Sequence, residues 1–154
     1  MNIETVIRAM PTGLEVVVIG GNAAQQYVPT YVTNDFDVCF DPDPANWQRV
    51  IMWLAPFTPE LWLAQQRRPL VWDQTTPVRD YTLMTQEGEI DLLQEVDGVG
   101  KYPQVQALSV AVSVFGKTVR FLNLHGLILS KRATNRPKDR LLLPQLEDVE
   151  RQNP

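Results

Sequence analysis

Two pairs of acidic residues in this chain share one spacing. Asp35 and Asp37 lie in "NDFDVCF", and Glu89 and Asp91 lie in "GEIDLL". In both segments acids alternate with apolar residues, the period of a β-strand, so each pair leaves one face a few ångströms apart. Carboxylates that close repel unless a proton or a divalent cation lies between them. Oxygen-only donors favour Mg²⁺ or Mn²⁺, and Mg²⁺ commonly takes one or two carboxylates together with substrate phosphates. If the two strands are neighbours, Asp91 joins Asp35 and Asp37 in a three-carboxylate cluster, with Glu89 competing for its place. Such a cluster can hold two ions ~3.5–4 Å apart for an in-line displacement at phosphorus. A water-facing strand edge would carry the same spacing, so the acids acquire meaning only from what surrounds them.

Upstream, "LEVVVIG" reads as a buried strand that breaks at Gly20-Gly21. Free N–H groups at a strand-to-helix turn form an anion seat, and the absence of a Cβ lets a triphosphate approach the backbone. A Gly pair equally serves any tight turn. Downstream, "KRATNRPKDR" holds five of the fourteen basic residues against one acid, Asp139. That stretch is either a solvated corner between helices or a seat for phosphates. Asp139 could orient Lys131 or act as a base, and an acid near a helix start also stabilises the helix dipole.

The elements that must carry these residues follow from periodicity and breakers. "ETVIRAM" suits a first helix ended by Pro11 and Gly13, and "NAAQQYV" a short helix after the glycines. In "NDFDVCF", Phe36, Val38 and Phe40 point one way, while Asp35, Asp37 and Cys39 point the other. "DPDPANWQRVIMWLAPF" turns and then forms a helix through Leu54, with Trp47, Val50, Ile51 and Leu54 along one stripe. Leu61 to Trp72 reads as a helix followed by a strand; its tryptophans suit the core better than a base pocket. "YTLMTQEGEIDLL" is two strands about a turn at Glu87-Gly88, and "VAVSVFGKTVRFLN" is a hairpin turning at Gly116-Lys117. Two helices close the chain from about residue 123. Pro137 suits the first turn of the second, and Pro144 should kink or displace it. His125 reads as a cap or packing residue, Cys39 as small apolar filler.

This order implies an α+β (α/β-like) chain with one mixed β-sheet flanked by helices, folded as a single domain over 1–154. The 44% apolar and 21% charged fractions are those of a globular protein. No apolar run approaches the ~20 residues that span a bilayer. The start, "MNIETVIRAMPTG", lacks the basic-then-apolar order of a signal peptide, so a cytoplasmic location is the expectation. The single cysteine excludes an internal disulfide and a multi-cysteine metal site. A net charge of -4 argues against non-specific coating of nucleic acid.

In combination, the strand, Gly20-Gly21, short helix, Thr33, Asp35-x-Asp37 and the later Asp91 resemble the DNA polymerase beta-like nucleotidyltransferase superfamily. The chain is most similar to small bacterial relatives of the nucleotidyltransferase toxins of abortive-infection (type IV toxin–antitoxin) systems. Those relatives also carry a lysine followed by Arg-x-Lys-Asp, matched by Lys131 and by Arg136, Lys138 and Asp139. Two positions depart: Tyr31 stands where an arginine is common, and Leu142 about where a further aspartate falls. The resemblance spans roughly Val16 to Leu146. It implies the polymerase beta-like fold and Mg²⁺- or Mn²⁺-dependent transfer of a nucleoside monophosphate from an NTP to an acceptor, with release of pyrophosphate. Asp35, Asp37 and Asp91 would hold the metals, and Asp91 would help activate the acceptor. Gly20, Gly21, Thr33, Lys131, Arg136 and Lys138 would bind the nucleotide, with Lys131 also offsetting charge during the reaction. The acceptor would be a tRNA, a protein or a small molecule, and an antitoxin a further partner. The alternative is a catalytically weak relative that binds nucleotide or a partner protein.

Overall fold

The four consecutive β-branched residues Val16–Ile19 form β1, buried along its whole length near the centre of the sheet. The computed structural model describes residues 1–153. Ahead of β1 lies α1 (Ile3–Arg8), started by Asn2, whose side chain accepts from the Thr5 N–H. After β1 come α2 (Gly20–Ala24), β2 (Asp35–Phe40) and α3 (Pro44–Leu54) with a one-turn 3₁₀ extension to Phe57. β3 (Glu60–Leu63), β4 (Gln66–Arg68), β5 (Tyr81–Thr85) and β6 (Gly88–Leu93) follow. A two-stranded ribbon of β7 (Glu95–Val96) and β8 (Gly100–Lys101) leads through α4 (Tyr102–Ala107) to the hairpin β9 (Ser109–Val114) and β10 (Lys117–Leu122). The chain closes with α5 (Leu124–Thr134) and α6 (Pro137–Gln152).

Eight strands form one mixed sheet in the order β4-β3-β5-β6-β2-β1-β10-β9. β2 runs parallel to β6, and β1 parallel to β10; the other pairings are antiparallel. Alternation along β2 is as expected: Phe36, Val38 and Phe40 are buried on one face beneath α3, where Trp53 meets Phe36 edge-on and Trp47 lies against Phe40. Burying tryptophan requires a partner for its indole N–H. Trp47, Trp53 and Trp72 donate to the backbone carbonyls of Thr76, Val6 and Ile51 at 2.8, 2.8 and 3.0 Å. Trp47 also stacks on Tyr81 at 5.8 Å, so these tryptophans belong to the core and not to a ligand pocket. α5 covers part of the opposite face of the sheet, and α6 packs on α5. Among the described residues no helix is long and apolar enough to cross a membrane.

Several local expectations are corrected. Leu61 to Trp72 contains no helix: β3 and β4 form a hairpin whose turn residues, Ala64 and Gln65, take φ of +51° and +63°. Those left-handed angles normally signal Gly or Asn, which is why the turn was not legible. The second hairpin turns at Gln86-Glu87, because Gly88 already pairs with Thr85. The third turns at Phe115-Gly116, because Lys117 pairs with Val114. α2 starts at Gly20 itself and has only five residues, so the dipole expected behind the glycines is small. α6 runs unbroken through Pro144; the proline lies on the exposed side, while Leu142 and Leu146 keep the helix seated. α5 is capped by Asn123, which accepts from Gly126 N–H at 2.8 Å, and His125 is exposed.

Candidate functional site

Parallel pairing of β2 with β6 sets Asp35 opposite Glu89 and Asp37 opposite Asp91. Directly opposed residues of a sheet share a face, so four carboxyls from two adjoining strands meet on one patch. One oxygen from each of Asp35, Glu89 and Asp91 lies within 4.8 Å of the other two, a span that fits around one cation. Asp37 is not part of that tightest group. It sits beside Asp91 and against Gly20, and Glu89 takes the place expected for it.

The cost of this crowding shows in the protonation of the acids. Burial, then a hydrogen bond and repulsion from Asp91, then repulsion from Asp35, push the Asp37 carboxyl up to about 8. Burial and repulsion from Asp91 and Asp35 push Glu89 up to about 7. Oδ1 of Asp37 and Oδ1 of Asp91 are buried with no hydrogen-bond donor. A buried carboxylate oxygen without a partner costs free energy that either a proton or a cation can relieve. The all-oxygen donor set matches a hard divalent ion such as Mg²⁺ or Mn²⁺.

The glycines explain how the β1–α2 turn reaches this patch. Gly20 takes φ of +64°, and a Cβ there would run into the Asp37 carboxyl. A Cβ on Gly21 would fall 2.5 Å from the Thr33 side chain. The pair thus lets the backbone lie directly on Asp37 and Thr33. Asn22, buried on α2, donates to the Asp35 carbonyl at 2.8 Å and ties the turn to the start of β2.

Facing the acids is the corner between α5 and α6. The Lys131 side chain is only 6% exposed, and its Nζ lies 3.2 Å from Asp139. Asp139 also accepts from Thr134 Oγ1 at 2.6 Å and from the N–H and Nε of Arg136 at 3.1 and 2.9 Å. Burial alone would raise this carboxyl. The hydrogen bonds from Arg136 and Thr134, with Lys131 beside it, instead hold it well below the ordinary carboxylate range. Of the roles left open for Asp139, these contacts favour a positioning one: it pairs with Lys131 and Arg136 and closes a capping box at the start of α6.

A cleft of about 660 Å³ brings these parts together. Gly20, Gly21, Thr33, Asp35, Asp37, Asp91, Lys131, Arg136 and Lys138 all line it, as does Tyr31. Asp80, Thr82, Glu95 and Asp97 line it too, and nothing in their spacing announced them. Thr82 arrives because β5 pairs it with Asp91; Glu95 and Asp97 arrive because the chain turns into β7 directly after β6. Leu142, by contrast, is buried in the core. Cys39, although on the acid side of β2, is fully covered, and burial pushes its thiol up to about 12. The cleft thus has an acidic floor suited to a cation and a basic wall suited to an anion, the two halves of a metal–phosphate complex. No protein-family model matches the chain, and no curated protein matches it in sequence.

Proposed function

We propose that this protein is a Mg²⁺- or Mn²⁺-dependent nucleotidyltransferase of the polymerase beta-like fold, moving a nucleoside monophosphate from an NTP to an acceptor hydroxyl. The observation that carries the proposal is the register of β2 against β6. It sets four acids on one face and leaves two of their oxygens without donors, and three of the four, Asp35, Asp37 and Asp91, line one cleft with Lys131 and Arg136. Asp35, Glu89 and Asp91, with Asp37 beside them, would hold the metal. A divalent cation there would supply Lewis-acid activation of the attacking oxygen and stabilise the departing pyrophosphate. The residues of the chain do the rest. Lys131, Arg136 and Lys138 offset the negative charge of the triphosphate. The Gly20-Gly21 backbone, free of side chains, faces the phosphates with Thr33 behind it. The acceptor oxygen bonds to the α-phosphorus as the bond from that phosphorus to the β-phosphate oxygen breaks, and Asp91 takes the acceptor proton.

A second reading, a relative that binds nucleotide or a partner protein with little catalysis, draws on Tyr31. It places an uncharged ring on the cleft wall where the resembled family commonly carries an arginine. One experiment separates the two. The protein is incubated with each α-labelled triphosphate, Mg²⁺ or Mn²⁺, and cell lysate or total RNA. Transfer of label that disappears in Asp91→Asn is the enzyme's result, and the labelled species identifies the acceptor as tRNA, protein or small molecule. Metal-dependent triphosphate binding without transfer is the binder's result. Triphosphate binding that ignores both metal and Asp35→Asn rules out the site itself. Arrest of growth on expression of the chain alone, relieved by Asp91→Asn, would extend the reading to a toxin with an antitoxin partner.

A further inference from the structure

The two edges of the eight-stranded sheet are built differently. β4 is three residues long, wholly exposed, contains Arg67 and Arg68 and runs into Pro69, features that discourage a further strand from adding. β9, at the other end, has six residues, Ser-Val-Ala-Val-Ser-Val, with no charge and no proline. Its pairing with β10 is continuous from Ser109↔Leu122 to Val114↔Lys117, so no bulge interrupts it. The preceding helix, α4, packs toward β10, β2 and β7.

The turn dictates which backbone groups of β9 are free. Phe115 and Gly116 both have positive φ, the two-residue turn whose flanking residues, Val114 and Lys117, exchange both hydrogen bonds. Alternation then directs the N–H and C=O groups of Val114, Val112 and Val110 toward β10. Those of Ser113, Ala111 and Ser109 point away from the sheet. Side chains alternate as well. Val110, Val112 and Val114 share the core-side face with Val119 and Phe121, and Val110 is still 40% exposed there. Residues 109–113 read Ser-Val-Ala-Val-Ser in either direction. An antiparallel copy placed about Ala111 therefore matches itself: Ala111 faces Ala111, Ser109 faces Ser113, and Val110 faces Val112. All three outward-pointing residues then fall on hydrogen-bonded positions, and the half-covered valines meet their counterparts across the seam.

We propose that β9 is a self-pairing edge through which two copies of this chain join their sheets about a two-fold axis at Ala111. The partner is a second copy because the free backbone groups, the side-chain sequence and the apolar stripe are complementary to themselves, as an isologous interface requires. The opposite edge stays closed, so the assembly stops at two.

Sedimentation velocity from about 1 to about 200 µM tests this, a range that brackets micromolar self-association. The expected result is a rise from the monomer mass to twice that mass. Ala111→Pro removes the N–H that lies at the axis while leaving every bond to β10, and should weaken association at least about tenfold. Ala111→Lys, whose side chain points to solvent in the monomer, should do the same by setting like charges opposite each other. Opposed hydrogen-bonded residues lie about 5.5 Å apart at Cα, within disulfide reach, so oxidised Ala111→Cys should cross-link into dimers. Thr118→Cys, one strand inward on the same face, should not. A monomer at all concentrations overturns the proposal. So does a dimer unaffected by both Ala111→Pro and Ala111→Lys, or one that cross-links equally through residue 118.

Discussion

Replacing Asp37 by asparagine should stabilise the metal-free protein while weakening its response to divalent cations. The folded-state pKa of Asp37 is pushed up to about 8 from 3.8, chiefly by burial and by Asp91. Stability from such a group is fully present below its unfolded pKa and is lost as pH rises through the folded value. At pH 7 about three pH units of that interval have been crossed, which sets an upper limit of about 4 kcal/mol at ~1.4 kcal/mol per unit. Asparagine keeps the shape and removes the charge. Because Asp35, Glu89 and Asp91 still repel one another, we expect about 2 kcal/mol to be recovered, a rise in Tm of about 4–8 °C for a chain of this size. Melts in EDTA at pH 5, 7 and 8.5 should show the wild type losing stability with rising pH and the variant losing less. Excess Mg²⁺ or Mn²⁺ should stabilise the wild type by about 2.7 kcal/mol at a hundredfold excess over Kd, raising its Tm, and raise that of the variant less. A variant that melts below the wild type in EDTA would refute the reasoning, since the four acids would then be stabilised by something other than a proton or a cation.

Three further outcomes follow from the same geometry. Asp139→Ala leaves the buried Lys131 ammonium without its partner and should cost about 3–5 kcal/mol in urea unfolding. Because the folded Asp139 carboxyl is held low, its contribution is present above the ordinary carboxylate pKa and should fade as pH falls below it. Gly20→Ala forces a side chain into a left-handed position against Asp37. It should cost about 2–4 kcal/mol and weaken the Tm shift with Mg²⁺. Cys39, fully covered and with its thiol pushed up to about 12, should resist a thiol reagent at pH 8 in the native protein and react once urea unfolds it; native-state reaction at the unfolded rate would contradict the packing of β2.

How far the site could be read from residues differs from one part to the next. The acids were legible because strand alternation is a local property: a spacing of two places Asp35 with Asp37, and Glu89 with Asp91, on one side whatever the partner strand. The basic corner was legible as a cluster of charge between two helices, and Pro137 marked the start of α6 correctly. The β3–β4 hairpin was not, because Ala64 and Gln65 adopt angles their types do not advertise. The β7–β8 ribbon is not legible either, since strands of two residues are too short for periodicity to show.

The order of residues along the chain decided which side chains alternate, where helices begin and which segments are apolar enough to be buried, since each depends on neighbours a few positions away. Whether those alternating acids ever meet was a matter for the tertiary structure alone. Parallel pairing of β2 with β6 is a contact between segments about fifty residues apart. A slip of one residue would have turned Asp91 to the far face and left Asp37 opposite a leucine or an isoleucine. The exchange of Glu89 for Asp37 in the tightest group, the arrival of Asp80, Glu95 and Asp97, and the seat of Asp139 between Lys131 and Arg136 are likewise products of packing, which no local spacing encodes.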